Sequence, residues 1–208
     1  MTDYKLTYFD FDGGRGEPIR IAFHAAGVEF DDHRVSFEEF GKLRAELPFN
    51  ALPILHVDGQ LITQSNALTR HVGKLAGLYP DDELQALFCD EVMDAVEDLT
   101  HRVAGTLGLE GDELKAAREK LAAGWLPVFV RGIGGLLERG GDYFADGRLT
   151  IADLKMFVVT RWLNSGTLEH IPTDMVEQLA PGLIAHQERV EADPIVKAYY
   201  ASRRTADS

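Results

Sequence analysis

The sequence predicts an α/β plus all-α architecture: a small mixed unit followed by a helical bundle. Three observations predict it. Over residues 1–76, strand-like and helix-like patterns alternate in the order βαβ–α–ββα. Gly77–Asp82, holding Gly77, Pro80 and two aspartates, has the composition of a linker. Over residues 83–208 no convincing strand pattern returns, and apolar residues recur at spacings of three and four.

Each element has its own signal. Leu6-Thr7-Tyr8-Phe9 reads as a strand, and Glu17–Ala26 as a helix with Pro18 in its first turn and Gly27 as its stop. Phe30–Val35 is a second strand and Phe37–Glu46 a short, weaker helix. Ile54–Val57 and Gln60–Ile62 flank Asp58-Gly59, a pair suited to a tight primed turn, so they form a hairpin. A helix from about Ser65 to Ala76 closes the unit. In the second half, Phe88, Val92, Val96, Leu99, Val103 and Leu107 form the stripe of one long helix. A second helix is expected from Asp112 to about Arg139, bent or weakened by Pro127 and the glycines at 132, 134 and 135. Thr150-Ile151-Ala152-Asp153 has capping-box spacing with Asp in the acidic position, ahead of the largely apolar and hence buried Leu154–Trp162. Short helices at Met175–Leu179 and Gly182–Glu191 complete the chain.

Bulk properties exclude several classes of function. A length of 208 residues suffices for a core without staples. No apolar run reaches the roughly 20 residues of a membrane span, and the amino end has no signal-peptide pattern. Cys89 is the only cysteine, which leaves no disulfide framework and points to a reducing cytoplasm. The formal charge of −13 disfavours nucleic acid and anionic membranes as partners. An anionic small molecule needs a local basic pocket, which draws attention to individual arginines. The seven histidines show no metal-ligand spacing, so no metal is expected.

Several residues carry two readings when taken alone. Pro53 opens a strand, as an ordinary trans edge proline or as a cis proline that exposes neighbouring backbone. Ser65 reads as a helix N-cap, while the same helix start, with its free N–H groups and hydroxyl, suits a carboxylate. Tyr8 reads as a packed strand residue or as a functional hydroxyl ahead of Gly13-Gly14-Arg15-Gly16. That loop fails as a dinucleotide fingerprint, because its third glycine position holds Ile19. Asp98 reads as part of a solvated acidic face with Asp90, Glu91, Asp94 and Glu97. Cys89 reads as a packing residue, and Asp153 as a helix cap.

Together these pieces resemble the cytosolic glutathione transferases, most closely their Sigma class, which includes the haematopoietic prostaglandin D synthases. The resemblance rests on Tyr4–Phe9, Arg15-Gly16-Glu17, Pro48-Phe49, Leu52-Pro53-Ile54-Leu55, Val57-Asp58-Gly59, Gln64-Ser65 and Ala67-Leu68, in matching order and spacing over about the first 75 residues with one extra residue before Arg15. Later in the chain it rests on Thr150–Asp153 and the acidic Asp94–Asp98 segment.

The resemblance implies a thioredoxin-like amino-terminal domain, with glutathione as cosubstrate and a hydrophobic electrophile as its partner in the reaction. By it, Tyr8 would donate a hydrogen bond to the glutathione sulfur and Arg15 would support the thiolate. Leu52, beside a cis Pro53, would pair with the cysteinyl backbone. Gln64 and Ser65 would hold the γ-glutamyl end, with Asp98 reaching it from the second subunit of a homodimer. Where Sigma enzymes carry a tryptophan and a lysine at the glycyl end, this chain has Phe40 and Arg44. Phe40 keeps the aromatic wall without the indole donor, and Arg44 keeps the charge. Gly105 stands where the prostaglandin-isomerising relatives have a tryptophan, which lowers the expectation of that activity. Conjugation is the leading expectation. Glutathione-dependent isomerisation, peroxide reduction and a non-catalytic crystallin-like role are the alternatives. Phe11–Gly14 and Ala104–Gly108 are expected to shape the electrophile pocket.

Overall fold

The computed structural model describes residues 2–206. Met1, Asp207 and Ser208, at the ends of the two expected units, lie outside the described residues.

The amino-terminal elements follow the expected order. They are β1 (Tyr4–Phe9), α1 (Glu17–Ala26), β2 (Asp31–Val35), α2 (Phe37–Leu43), β3 (Ile54–Val57), β4 (Gln60–Ile62) and α3 (Ser65–Leu75). The sheet order is β2-β1-β3-β4. β1 runs parallel to β2 and antiparallel to β3, with Tyr8 opposite Arg34 and Leu6 opposite Leu55. The β3–β4 turn holds Asp58 at φ 49° and Gly59 at φ 80°, the backbone a primed hairpin turn requires. Alternation along β1 sends Tyr4, Leu6 and Tyr8 to one face, where all three are buried. Helix α1 ends at Gly27, whose φ of 61° lets its N–H turn back to the His24 and Phe23 carbonyls.

The carboxyl-terminal part contains α4 (Glu83–Ala104), α5 (Gly111–Lys120), α6 (Leu126–Gly140), α7 (Ile151–Asn164), α8 (Met175–Leu179), α9 (Gly182–Ala192) and α10 (Pro194–Ala206). The predicted stripe of α4 is buried at Val92, Val96, Leu99 and Val103. Each such side chain contributes about 1.5–3 kcal/mol by leaving water. Leu107 departs from it: α4 stops at Ala104, and Leu107 is exposed beyond the end. Cys89 is wholly buried on α4, as a packing residue should be, and burial pushes its thiol up to about 12.

The long helix expected over 112–139 forms as α5 and α6 joined through a π turn at Leu121–Trp125. Pro127 explains the turn. It has no N–H, and its ring would press on the carbonyl four residues back. Widening the preceding turn relieves the clash, and Leu126 N–H bonds five residues back to the Leu121 carbonyl. Contrary to the sequence expectation, Gly111–Gly140 does pass for a membrane span by length and composition. Its apolar side faces protein, however: Leu126, Val130, Ile133 and Leu137 recur at spacings of three and four and are buried. The last helix, α10, was not anticipated; Pro194 at its start and the mixed Tyr/Lys/Arg pattern hide its period.

One continuous apolar core crosses from Tyr4 and Leu6 through α1 and α3 into α4, α6, α7, α9 and α10. Close approach of α3 to α7 is enforced at Gly73, where a Cβ would meet Ile151 Cγ2 at 2.5 Å. Ile151 N–H also donates to the Leu78 carbonyl at 2.9 Å.

The start of α7 is the expected capping box, and it extends further. Asp153 accepts from Thr150 N–H and Oγ1, from Phe144 N–H, and meets His186 Nε2 at 2.9 Å, all buried. Asp153→Ala would orphan these groups together. It should cost about 3–5 kcal/mol, measured as a fall in the urea-unfolding midpoint; a change under about 0.5 kcal/mol would contradict the assignment.

Candidate functional site

The site lies where β1 runs into α1, beside the start of α3, which packs against α1. Tyr8, at 5% exposure, packs with Val35, Leu52 and Ile54, and Phe9, Phe40, Leu43 and Leu47 flank this cluster. The Tyr8 hydroxyl accepts the Arg15 N–H at 3.0 Å. Burial is the main influence on the hydroxyl and raises its pKa above the ordinary tyrosine value, against the Arg15 N–H and the Arg15 and Arg20 charges. The phenol therefore stays protonated at neutral pH. With its oxygen fixed by Arg15, its hydrogen is directed elsewhere.

The Gly-rich loop owes its composition to this ring. A Cβ on Gly16 would meet Tyr8 Cδ1 at 2.4 Å, and one on Gly14 would meet the hydroxyl oxygen at 2.4 Å. Gly14 also sits at φ 63°, where a side chain is disfavoured. Buried Arg20 fixes the outgoing chain by donating to the Phe9 and Phe11 carbonyls at 3.2 Å, while its Nε pairs with Asp32. Beside the ring, the Leu52-Pro53 bond is cis, the alternative implied by the resemblance over the reading from spacing alone.

At the start of α3, Gln64 adopts φ 73° and ψ 106°, rare for a non-glycine residue. It occupies the N-cap position without a side-chain cap bond, so Ser65 is not the cap but the first helical residue. The Ser65 hydroxyl donates instead to Glu97 Oε2 at 2.8 Å. Glu97 Oε1 accepts from Arg15 Nε at 2.6 Å, and Oε2 also takes Lys155 Nζ at 2.7 Å. The acidic face of α4 is accordingly not simply solvated: Asp90 pairs with Arg70, Glu91 with Arg139, and Asp94 accepts from Asn66.

Tyr8, Arg15, Leu52, Pro53, Ser65 and Phe40 thus gather around one end of the sheet, Phe40 edge-on to Phe9 with ring centres 5.2 Å apart. Arg44, in the short 3-10 turn Arg44–Glu46, and Gln64 are exposed at its rim. Asp98 stands apart on the exposed side of α4.

The same fold is met in known proteins. The family described as "Glutathione S-transferase, N-terminal domain" matches residues 4–74, and "Glutathione S-transferase, C-terminal domain" matches residues 97–203. This chain belongs to the glutathione S-transferase family. Among relatives, glutathione S-transferase 1 of Ascaris suum is 35% identical over 74% of this chain and 77% of its own. The hematopoietic prostaglandin D synthase of Gallus gallus is 30% identical over 98% of both chains. Among solved structures, prostaglandin synthase D of Nilaparvata lugens superposes with TM-score 0.83 at 28% identity, covering 97% of this chain and 98% of that one. A glutathione s-transferase of Necator americanus, described as monomeric, gives 0.75 at 30% identity over 97% of each. The thioredoxin-like plus helical fold and the transferase activity expected from the sequence therefore hold.

Glu97 and Lys155 escaped the sequence reading. Their one signal was a lone lysine inside a largely apolar, buried helix. Burial alone would push Glu97 up, but the charges and hydrogen bonds of Lys155 and Arg15 prevail and hold its carboxyl at about 2. Burial draws the Lys155 ammonium down while Glu97 opposes it. The carboxylate, with three donors around it, keeps the pair charged. Since the folded value lies below the ordinary 4.5 of a glutamate, the stabilisation is present above pH 4.5 and fades as pH falls toward 2. The stability difference between the transferase and its Glu97→Gln variant should be at most roughly 3 kcal/mol above pH 5 and shrink below it. Urea unfolding from pH 2 to 7 measures this, and a pH-independent difference would contradict it.

Proposed function

We propose that Tyr8 donates its hydroxyl hydrogen bond to the sulfur of glutathione and so favours the thiolate, which then attacks a hydrophobic electrophile. In conjugation to an aryl halide, the thiol proton is lost, a carbon–sulfur bond forms and halide leaves. The observation that carries this reading is the buried, protonated Tyr8 hydroxyl, its oxygen held by the Arg15 N–H and its own hydrogen uncommitted. A free thiol has a pKa of about 8.5, so a charge-assisted bond enriches the reactive form at neutral pH. The nucleophile belongs to the cosubstrate, and buried Cys89 takes no part.

In this reading Arg15 supports the thiolate electrostatically and the Leu52 backbone beside Pro53 meets the cysteinyl unit. Phe40 and exposed Arg44 receive the glycyl end, and Gln64 and Ser65 the γ-glutamyl end. The strained Gln64 backbone supports a ligand role, since such geometry concentrates at ligand clamps. We place the domain division at residues 76 and 83, around the 77–82 linker, and the protein in the cytoplasm, acting in detoxification. Glutathione-dependent isomerisation is the second reading, favoured by the prostaglandin synthases among its relatives. A panel of aryl halides, unsaturated carbonyls, isothiocyanates, hydroperoxides and prostaglandin endoperoxide separates the two.

Tyr8→Phe removes one hydroxyl and keeps the ring. It should slow conjugation by about one to two orders of magnitude, the loss of a bond worth roughly 1.5–3 kcal/mol. The ultraviolet titration of bound thiolate should move to higher pH. Coincident titrations with unchanged activity would leave Tyr8 a packing residue.

The active unit in this reading is a homodimer, with the partner subunit's Asp98 reaching the γ-glutamyl amine. Support comes from one exposed stripe of α4, where Leu84, Leu87, Glu91, Asp94 and Asp98 follow at spacings of three and four. Leu84 and Leu87 are more than half exposed, and Phe49 protrudes at 75% exposure. Isolated apolar residues are ordinary, but two exposed leucines in one helix stripe, and a separately protruding aromatic, fit an interface. Light scattering at micromolar concentration should give twice the 23.0 kDa chain mass. A fully active monomer would sink the proposal.

A further inference from the structure

Lys155 is an anomaly of α7. It is 3% exposed, and the residues around it, Ile151, Ala152, Leu154, Met156, Phe157, Val158 and Val159, form apolar core. An ammonium in such a place is costly unless paired and hydrogen-bonded. Its Nζ meets Glu97 Oε2 and the Asn66 side-chain oxygen. Asn66 in turn donates to Asp94 Oδ1 at 2.6 Å and to the Met93 carbonyl at 3.2 Å. Replacing a buried lysine by an apolar residue would satisfy the packing of α7 equally well, so packing does not explain it.

The oxygens of Glu97 do. Oε1 is taken by Arg15 Nε, and Oε2 is shared between Ser65 Oγ and Lys155 Nζ. While its hydroxyl donates to Glu97, Ser65 can only accept through Oγ. To donate to a carboxylate arriving at the start of α3, the hydroxyl must rotate away from Glu97. A carboxylate oxygen left with no donor at that moment would incur its desolvation penalty. We propose that Lys155 is a positioning residue of the glutathione site, holding Glu97 Oε2 so that the Ser65 hydroxyl can transfer its hydrogen bond to the γ-glutamyl carboxylate. The ammonium also leaves the Arg15, Glu97 and Lys155 cluster with one positive charge in excess, an anion-favouring spot in a chain of charge −13. Asp94, beyond Asn66 on the exposed side, is the nearest counterweight.

This inference rests on the glutathione reading of Ser65, and binding of S-methylglutathione, which cannot react, tests the two apart. Absence of binding to the unaltered protein would overturn the reading of the site and the inference with it. If the unaltered protein binds, Lys155→Met should weaken binding about ten-fold and raise the KM for glutathione by a similar factor. Its kcat at saturating glutathione should stay within about two-fold, the split expected when binding alone is lost. In a Glu97→Gln background, whose neutral amide needs no counter-charge, the same substitution should cost less than about two-fold. Equal losses in both backgrounds would assign Lys155 to packing and overturn the inference. So would unchanged affinity, or a fall confined to kcat. Should Lys155→Met fail to fold, Lys155→Leu, which likewise removes both donor and charge, is read by the same criteria in both backgrounds.

Discussion

The carboxylate of Glu97 is the interaction on which the site depends. It projects from α4 in the helical part and collects donors from the loop after β1, from the first residue of α3 and from α7. Three segments that a chain trace separates by 32 to 82 positions are thereby held to one group. The site is consequently a product of both halves of the chain. Its tyrosine and serine come from the sheet side, but the charge that orders Arg15 and Ser65 comes from the helices. The apolar core makes the same junction by other means, running unbroken from Leu6 through α1 into α7. An amino-terminal segment cut free between α3 and α4 would lose both the seal over its core and the anchor of its site.

The loop after β1 shows how a small feature is held by opposing demands. Tyr8 must lie flat against the start of α1 for the Arg15 N–H to reach its oxygen, which leaves no room for a side chain at Gly14 or Gly16. Arg20 anchors the loop from beneath through two backbone carbonyls. Glycine is used here for proximity as much as for flexibility, and the arginine restores the rigidity that glycines remove.

Legibility of the sequence followed the range of the interactions. Helix stops, the hairpin turn and the capping box are local, and Gly27, Asp58-Gly59 and Thr150–Asp153 all took the roles read from their spacing. The cis Pro53 became legible only through several motifs in register, and Ser65, which alone reads as a cap, is the first helical residue after Gln64. Glu97 stayed hidden because it neighbours Asp98 in an acidic run, and only the winding of α4 decides that one faces inward and the other outward. Lys155 had no local motif, since its partners lie 58 and 89 residues away. The glycines were seen, and Ile19 excluded a dinucleotide fingerprint, but their clearance of the Tyr8 ring is a three-dimensional fact with no local signal. The π turn was foreseen as a bend at Pro127, while its form depends on how the helix absorbs a missing N–H.

The sealed thiol of Cys89 bears on how the chain responds to reagents that seek sulfur. Reagents that seek sulfur react with the deprotonated form, and a group held at about 12 offers only about one part in 10⁵ of it at neutral pH. Cys89 is also wholly out of reach of solvent. The chain's sole sulfhydryl is therefore shielded from thiol-seeking reagents. A reagent that modifies thiols would have to unfold the helical core before it could mark this chain at sulfur, so Cys89 reactivity reports on the fold and not on the site.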